Sequence, residues 1–241
     1  MWTSHKDKNS VLVVIPAYNE AKNLKHAVDK LIAGCPYDYL IVNDASLDET
    51  EELCQAQNYN YISHKKNQGL SEAMRTGFKY AWERGYSYVV QYDGDGQHNP
   101  DDVVKLVEYI QQHPELDIVS GSRFLDGKNT KHESFAKEMG RSLLSYSFYK
   151  RTKARLTDPT NGLRVFSKRF IDMYCFFKKF EVEPSTVAYV IVKKNMKIAE
   201  LPVVVNDRLY GTSTFDNIFK VVAYMGKQFR RFWFTTRKWK Y

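Results

Sequence analysis

Two carboxylates separated by one glycine follow a short apolar run in residues 88–100, which read YVVQYDGDGQHNP. Asp93 and Asp95 come directly after the strand-like residues, and Gln97 and His98 follow them. Alternating side chains at the end of a buried strand aim several oxygens at one point, which is how a hard divalent cation is held. Such a cation usually binds a diphosphate in turn. An acidic turn built from ordinary Asp and Gly residues is the alternative interpretation.

The composition describes a folded, basic chain. Its 241 residues are 43% apolar and 27% charged, which suits one α/β domain with additions and excludes a disordered protein. The net charge of +8 indicates an anionic partner: nucleic acid, a membrane surface or a phosphorylated substrate. Three dispersed cysteines indicate reduced intracellular thiols and no disulfide framework. The polar N-terminus predicts no signal peptide, and no apolar run reaches the ~18–20 residues that span a bilayer.

Strand and helix signals alternate through the first half of the chain. Continuous apolar runs predict strands buried on both faces, and apolar residues at helical spacing, such as Leu24, Ala27, Val28 and Leu31, predict the helices between them. Five strands are predicted, within residues 11–15, 39–42, 59–64, 86–92 and 117–122. This βαβα order predicts an α/β fold with a Rossmann-like, mostly parallel, doubly wound sheet flanked by helices.

The alternation loosens after residue 123. We predict a polar loop at residues 126–135, a basic helix up to about residue 156 and a short strand after residue 162. A second helix at residues 183–194 and a final strand at residues 197–205 follow. Residues 217–241 contain seven cations and no acid, with aromatic residues interleaved. Such a basic amphipathic extension is typical of a membrane interface. A C-terminal helix whose aromatic residues pack on the core is the alternative.

Polar residues follow five successive predicted strands. In an open parallel sheet, ligands bind outside the carboxyl ends of the strands, so these residues are expected to meet. The five polar stretches lie at residues 16–20, 43–46, 64–69, 93–98 and 121–123. Together they predict one crevice for a phosphorylated ligand that forms many hydrogen bonds.

An ordered set of motifs resembles the family 2 glycosyltransferases of the GT-A fold: PAYNE, VNDASLDET, NQGLSEAMRTGF, YDGDGQH, GSRF and DPTNGLRVF. Within that family the set is similar to the branch of dolichol-phosphate mannosyltransferases and bacterial polyprenyl-phosphate glycosyltransferases. The resemblance implies a catalytic domain over residues 1–215, with a nucleotide-sugar-binding half at 10–122 and an acceptor-binding half at 123–215. Residues 216–241 would then be the membrane-interface tail.

The resemblance also implies the residues of the donor site. The nucleotide-binding residues would be Pro16, Tyr18, Glu20, Asp44, Asn67, Gly69, Asp93 and Arg208. Among these, Asp44 would accept a hydrogen bond from the base and Arg208 would approach the donor phosphates. Family members often have two acids in the turn at Asp44, but here the first position is Asn43. The metal ligands would be Asp93, Asp95 and Gln97, binding Mg²⁺ or Mn²⁺.

On the acceptor side, the resemblance implies that Arg123 and Arg141 face the acceptor phosphate, with surface cations as the alternative. Asp158 and Gly162 match the acceptor motif. A lipid monophosphate needs no strong base because its second pKa is about 6, whereas a sugar hydroxyl needs one. Asp158 is the candidate base among the motif residues, and a turn acid before Pro159 is the alternative. The catalytic residues would be Asp93, Asp95, Asp158 and Arg123.

These implications define the expected function. It is inverting, metal-dependent sugar transfer from a UDP- or GDP-sugar to a polyprenyl phosphate, such as undecaprenyl or dolichyl phosphate. The protein would be cytoplasmic and peripherally attached to the anionic inner face of the plasma membrane. Many relatives in this branch carry transmembrane helices, and their lack here raises a membrane-protein partner as an alternative anchor.

Three other functions fit parts of the sequence. The nearest alternative is a family 2 enzyme that acts on a saccharide hydroxyl in cell-wall or surface polysaccharide synthesis. A nucleic-acid-binding protein would explain the charge and aromatic residues but not the acidic strand end, so no nucleic acid partner is predicted. A non-catalytic nucleotide-sugar sensor would not need the acid pair and the acceptor-side arginines together.

Overall fold

The computed structural model describes residues 10–126, 135–176, 182–206, 210 and 226–232. Its named elements follow one another in this chain order: β1 (Val11–Ala17), α1 (Ala21–Gly34), β2 (Asp38–Asn43), α2 (Thr50–Ala56), β3 (Tyr61–Ser63), α3 (Leu70–Arg84), β4 (Tyr88–Gln91), α4 (Pro100–Gln112), β5 (Ile118–Ser122), α5 (Phe135–Thr152), β6 (Arg164–Ser167), α6 (Lys168–Phe176), α7 (Pro184–Lys194) and β7 (Ile198–Pro202). The strands form one sheet in the order β3-β2-β1-β4-β6-β5-β7.

The sheet is mostly parallel, as the βαβα order predicts. Strand β1 pairs in parallel with β2 and β4, β2 pairs in parallel with β3, and β5 pairs in parallel with β7. Strand β6 is the exception because it runs antiparallel to both of its neighbours, β4 and β5. The sequence predicted a strand after residue 162 but not its direction, since direction depends on the partners that a strand meets and not on its own pattern.

The core lies on both faces of this sheet. In β1, Leu12 and Val14 face a cluster that includes Phe78 of α3, whereas Val13 and Ile15 face the cluster around α1 and α4. All four of these β1 residues have 0% exposure. The continuous apolar run therefore reflects burial on two faces, as predicted.

Local signals placed most helix boundaries correctly. Helix α1 buries Leu24, Ala27, Val28 and Leu31, which are the predicted stripe. Helix α4 begins at Pro100, and α3 ends at Gly85, whose φ of 76° closes the helix in the left-handed conformation. Helix α6 follows β6 without an intervening turn and was not predicted. Within the described ranges, no helix has the length and apolar composition needed to cross a bilayer.

The part of the predicted membrane tail that the structure describes packs on the protein. Residues 226–232 are helical, and Phe232 is 5% exposed, with its ring edge-to-face against Phe148 at a centroid distance of 6.2 Å. Lys227 and Arg231 both form ion pairs with Glu183. The packing of Phe232 supports the alternative of a packed C-terminal helix for these residues, and the membrane-interface tail at residues 216–241 stays a prediction. The other residues of 217–241 lie outside the described part.

The tight contact between α3 and β1 gives a test of this packing. A Cβ at Gly77 would lie 2.4 and 2.6 Å from the two methyl carbons of Val14, far inside normal contact. Alanine favours a helix over glycine by about 1 kcal/mol, but overpacking a core costs typically about 1–3 kcal/mol. We therefore expect Gly77→Ala to lower the free energy of unfolding by about 1–2 kcal/mol in urea denaturation. Lys79→Ala, on the exposed face of the same helix, is the control, and a stabilised Gly77→Ala variant would contradict the packing.

Candidate active site

One cleft of about 450 Å³ opens at the carboxyl ends of the parallel strands. It brings together residues that the sequence assigned to one crevice with Gly162 of the acceptor motif: Pro16, Tyr18, Glu20, Asp44, Asp93, Asp95, Gln97, Arg123 and Gly162. These residues come from five separate stretches of the chain, up to 146 positions apart in sequence between Pro16 and Gly162. The cleft wall does not include Asn67, Gly69, Arg141 or Asp158, and Arg208 lies outside the described residues.

The loop before β6 forms one wall of the cleft because β6 runs in the reversed direction. Because β6 is antiparallel to β4, its first residue lies at the edge where β4 ends, with Gln91 opposite Arg164. The loop that precedes β6 therefore reaches the acid pair. A Cβ at Gly162 would lie 2.1 Å from Oδ2 of Asp93, so only glycine permits this approach. Asn161 and Thr160 line the cleft beside it and were not predicted.

Asp93 is held by neighbours that favour its charged form. Its Oδ2 lies 3.4 Å from Nε2 of His98, and its Oδ1 lies 3.5 Å from Nε2 of Gln91. Burial raises the pKa of Asp93, but the hydrogen bonds and charges of His98, Gln91 and Arg164 outweigh burial and leave the pKa below its usual value. Asp93 is therefore ionised at neutral pH. His98 is therefore a hydrogen-bonding neighbour of Asp93.

Asp95 and Gln97 are oriented by backbone contacts. Oδ1 of Asp95 accepts a hydrogen bond of 3.0 Å from the backbone N–H of Gln97, across Gly96 with a φ of 77°. The side-chain Nε2 of Gln97 donates to the carbonyl of Asn206 at 3.0 Å, and the Asn206 N–H donates to the Gln97 carbonyl at 2.8 Å. These bonds, with the bridge between His98 and Val205, hold the chain after β7 against the turn at residues 93–98.

The oxygens around Asp93 suit a hard divalent cation whose remaining coordination positions are filled by a bound ligand. Among the described residues, no group of three or more His, Cys, Asp and Glu side chains forms a ready-made metal site. Mg²⁺ in nucleotide enzymes is commonly held by one or two carboxylates, with phosphates and waters supplying the remaining oxygens. Asp93 and Asp95 match that donor set. Gln97 can add its amide oxygen because its amide nitrogen is bonded to Asn206.

Asp44 holds the neighbouring loop in place. Its Oδ1 lies 2.7 Å from Nδ1 of His64, and its carboxylate accepts the backbone N–H groups of Gln68 at 2.9 Å and Gly69 at 2.6 Å. Asp44 is only 3% exposed. Its carboxylate thus fixes the loop at residues 67–69, where the resemblance assigned Asn67 and Gly69 to nucleotide binding. Gly69 has a φ of 87° and begins α3, so the loop turns sharply there.

Asp158 forms a bidentate ion pair with Arg123. The Nε and Nη2 of Arg123 donate to the two carboxylate oxygens at 2.7 and 2.9 Å, and the Arg123 backbone N–H donates at 3.2 Å. Asp158 is 0% exposed. Burial raises its pKa, but the bonds and charge of Arg123 prevail and leave the pKa below its usual value. A buried carboxylate of low pKa is a weak base, so this geometry favours positioning of Arg123.

Arg141 lies on α5 behind the same wall. Its guanidinium stacks over the ring of Phe124 at 3.7 Å, and its Nη1 donates to the carbonyl of Thr157 at 3.3 Å. Arg123 approaches the same ring at 5.1 Å. The two arginines are therefore neighbours on either side of Phe124, although Arg123 alone of the pair lines the cleft.

The fold belongs to the GT-A class of glycosyltransferases. The structure is similar to that of glucosyl-3-phosphoglycerate synthase from Mycobacterium tuberculosis, solved in complex with Mn²⁺ and UDP-glucose. The TM-score is 0.64 at 16% identity, and the match covers 95% of this chain and 83% of that one.

Sequence comparison identifies the family. A profile of glycosyl transferase family 2 matches residues 12–176. The UDP-N-acetylglucosamine–dolichyl-phosphate N-acetylglucosaminyltransferase of Methanococcus voltae is 33% identical over 212 residues, covering 80% of this chain and 84% of that protein. The undecaprenyl-phosphate mannosyltransferase of Micrococcus luteus is 29% identical over 219 residues, covering 84% and 86%. The chain belongs to glycosyl transferase family 2 and is a glycosyltransferase, which confirms the resemblance.

The Arg123–Asp158 pair predicts a particular pH dependence of stability. Because the pKa of Asp158 is lowered on folding, its contribution is complete above the unfolded value of about 3.9 and is lost as the pH falls through the folded value. We expect Asp158→Asn to lower the free energy of unfolding by about 2 kcal/mol at pH 7, since hydrogen bonds to charged groups contribute about 1.5–3 kcal/mol. The difference from the wild type should narrow below about pH 4.

Urea denaturation between pH 3 and 7 measures this difference. Asp172→Asn is the control because Asp172 forms an exposed pair with Lys168, and such pairs contribute about 0–1 kcal/mol. Equal stability of Asp158→Asn and the wild type at pH 7 would show that the pair is not formed.

Proposed function

We propose that this glycosyltransferase transfers a sugar from a UDP- or GDP-sugar to a polyprenyl phosphate, with inversion and with Mg²⁺ or Mn²⁺. One observation carries the proposal: the cleft places the acid pair Asp93 and Asp95 in the same wall as Arg123 and the loop before β6. The acids suit the donor diphosphate through a cation. The arginine suits a second phosphate, which belongs to the acceptor.

The names of the relatives support both substrates. The relatives from Methanococcus voltae and Micrococcus luteus are named for transfer to dolichyl phosphate and undecaprenyl phosphate, respectively. The structural neighbour was solved with Mn²⁺ and UDP-glucose. A nucleotide sugar, a divalent cation and a polyprenyl phosphate are thus the substrates and cofactor that we assign to this cleft.

On the donor side, Pro16, Tyr18 and Glu20 bind the nucleotide, and Asp44 supports the loop at residues 67–69 that covers it. Tyr18 is 42% exposed at the cleft, so its ring is available to a ligand. Asp93, Asp95 and Gln97 would hold a divalent cation, which would supply Lewis-acid stabilisation of the leaving diphosphate. The lowered pKa of Asp93 keeps its oxygens charged for this purpose at neutral pH.

On the acceptor side, Arg123 orients the phosphate of the lipid. An acceptor phosphate oxygen forms a bond to the anomeric carbon from the face opposite the leaving group. The bond from that carbon to the donor diphosphate breaks, and the nucleoside diphosphate leaves with the electron pair. A phosphate monoester with a second pKa of about 6 is already charged enough to attack at neutral pH, so no base is needed.

A saccharide hydroxyl as acceptor fits the site less well. Such an acceptor requires a base to remove its proton. The candidate from the sequence, Asp158, is buried, has a lowered pKa and uses both carboxylate oxygens to bind Arg123. We therefore assign Asp158 to the positioning of Arg123 rather than to proton transfer.

A membrane surface is the partner that fits the exposed side of α5. Met139, Leu143, Tyr146 and Tyr149 are 59%, 52%, 56% and 41% exposed, at spacings that place them along one side of the helix. Lys150 lies 5.3 Å from the ring of Tyr146. Apolar and aromatic side chains beside cations are typical of helices that lie at anionic lipid surfaces. We propose that α5 contacts the inner face of the plasma membrane directly, without requiring a membrane-protein partner.

Labelled nucleotide sugars test the reaction. UDP-N-acetylglucosamine, UDP-glucose and GDP-mannose are each incubated with a short polyprenyl phosphate, with Mn²⁺ or with EDTA. We expect an organic-soluble labelled product with one donor that EDTA abolishes. Asp95→Asn should lower kcat/KM at least about 100-fold, because metal stabilisation contributes several kcal/mol and each 1.36 kcal/mol is about tenfold. Asp101→Asn, an exposed carboxylate on α4, is the control. Label in a saccharide product alone would favour the hydroxyl acceptor.

Liposome binding tests the α5 surface separately. Leu143→Glu adds a negative charge to an exposed position on α5 and should reduce co-sedimentation with vesicles rich in anionic lipid several-fold. Ile32→Glu is the matched control, since Ile32 is 50% exposed on α1. If both variants sediment as the wild type does, α5 is not the membrane contact.

A further inference from the structure

A single carboxylate on β7 binds the turn that holds both acceptor-side arginines. Glu200 Oε2 accepts hydrogen bonds from the backbone N–H of Thr157 at 2.6 Å and from its hydroxyl at 2.9 Å. Glu200 Oε1 accepts the backbone N–H of Asp158 at 3.0 Å. Three donors from two adjacent residues therefore converge on one side chain. Glu200 is outside the motifs of the sequence analysis and outside the cleft wall.

The same turn connects to Arg123 and Arg141 by separate contacts. Asp158 forms the bidentate ion pair with Arg123, whereas the carbonyl of Thr157 accepts from Nη1 of Arg141 at 3.3 Å. The Thr157 hydroxyl also lies 2.6 Å from the hydroxyl of Ser122, the residue before Arg123. A shift of the Thr157–Asp158 turn would therefore move both guanidinium groups.

We propose that Glu200 is a positioning residue for acceptor binding, acting through this turn on Arg123 and Arg141. The proposal rests on the proposed function, because it assigns those arginines to the phosphate of the lipid acceptor. Glu200 itself does not touch substrate. It fixes the backbone that directs Asp158 at Arg123. A change at Glu200 is therefore expected to weaken binding of the acceptor and not binding of the nucleotide sugar.

The chemistry of the contacts requires a carboxylate at this position. Both oxygens of Glu200 accept hydrogen bonds, and two of the three donors are backbone N–H groups that no rotation can convert into acceptors. Glutamine keeps the size but replaces one oxygen by an NH₂ group, which would face a backbone donor. Glu200 also lies near the negative Asp158, and burial together with that charge raises the pKa of Glu200. The backbone N–H of Asp158 between them offsets part of this repulsion.

Steady-state kinetics of Glu200→Gln test the proposal. We expect the KM for a short polyprenyl phosphate to rise about tenfold, while the KM for the nucleotide sugar changes less than about twofold. Glu108→Gln, an exposed glutamate on α4, is the matched control and should leave both values unchanged. In an Arg123→Ala background the effect of Glu200→Gln should become smaller, because one of the two arginines through which it acts is gone. Equal rises in both KM values, or a full effect in that background, would overturn the proposal.

A second readout does not depend on the acceptor. The Nε–H of Arg123 donates to Asp158 at 2.7 Å, which should give a protected side-chain resonance in ¹⁵N NMR of the whole protein. We expect this resonance to shift and broaden in Glu200→Gln but not in Glu108→Gln. An unchanged resonance in Glu200→Gln would overturn the positioning role. If the wild type transfers no sugar to polyprenyl phosphate, the proposed function fails, and this resonance still decides whether Glu200 positions Arg123.

Discussion

The direction of β6 is the constraint on which the site depends. This strand lies between β4 and β5 and runs opposite to both, so the loop before it begins at the edge where the other strands end. That loop brings Gly162 against Asp93 and brings Asp158 beneath Arg123. A parallel strand in the same place would have put this loop at the far edge of the sheet. The acid pair and the acceptor-side residues would then not have shared a cleft.

The acidic residues of the site have two different roles. Asp93 and Asp95 face the cleft, where we propose that their oxygens bind a cation. Asp44, Asp158 and Glu200 instead bind backbone N–H groups and basic side chains, and each of them fixes one segment of the wall. Leaving a buried hydrogen-bond donor without its partner costs about 1–3 kcal/mol, so the protein's own structure constrains these carboxylates.

The basic side chains of the described residues occupy two kinds of environment. Some cations are internal to the fold: Arg123 and Arg141 flank Phe124, and Arg231 pairs with Glu183. Others, such as Lys150, lie beside exposed aromatic rings on α5. Net charge alone therefore indicated an anionic partner but not the surface that would meet it. Helix α5 carries Arg141 on one side and the exposed aromatic residues on the other, so the proposed acceptor site and the proposed membrane surface share one helix.

Much of the fold and the donor side was predictable because the responsible signals are local. The apolar run of β1, the stripe of α1, the proline of α4 and the glycine that ends α3 each specify their element within a few residues. Strand ends then identified Pro16, Tyr18, Asp93 and Arg123, since parallel strands place their carboxyl ends along one edge. The reversal of β6 was not predictable, and the packing of residues 226–232 was one of two alternatives, because both depend on contacts with distant elements.

The sequence by itself determined the family, the order of the elements and the acid pair, because these depend on residue types at short spacings. Only the tertiary structure decided what each polar residue binds. Asp158 resembled a candidate base until its burial against Arg123 was visible, and Glu200 was one charged residue in an apolar strand. Their partners lie 35 and 43 positions away in the chain, and hydrogen bonds over such separations leave no periodic signal in the sequence.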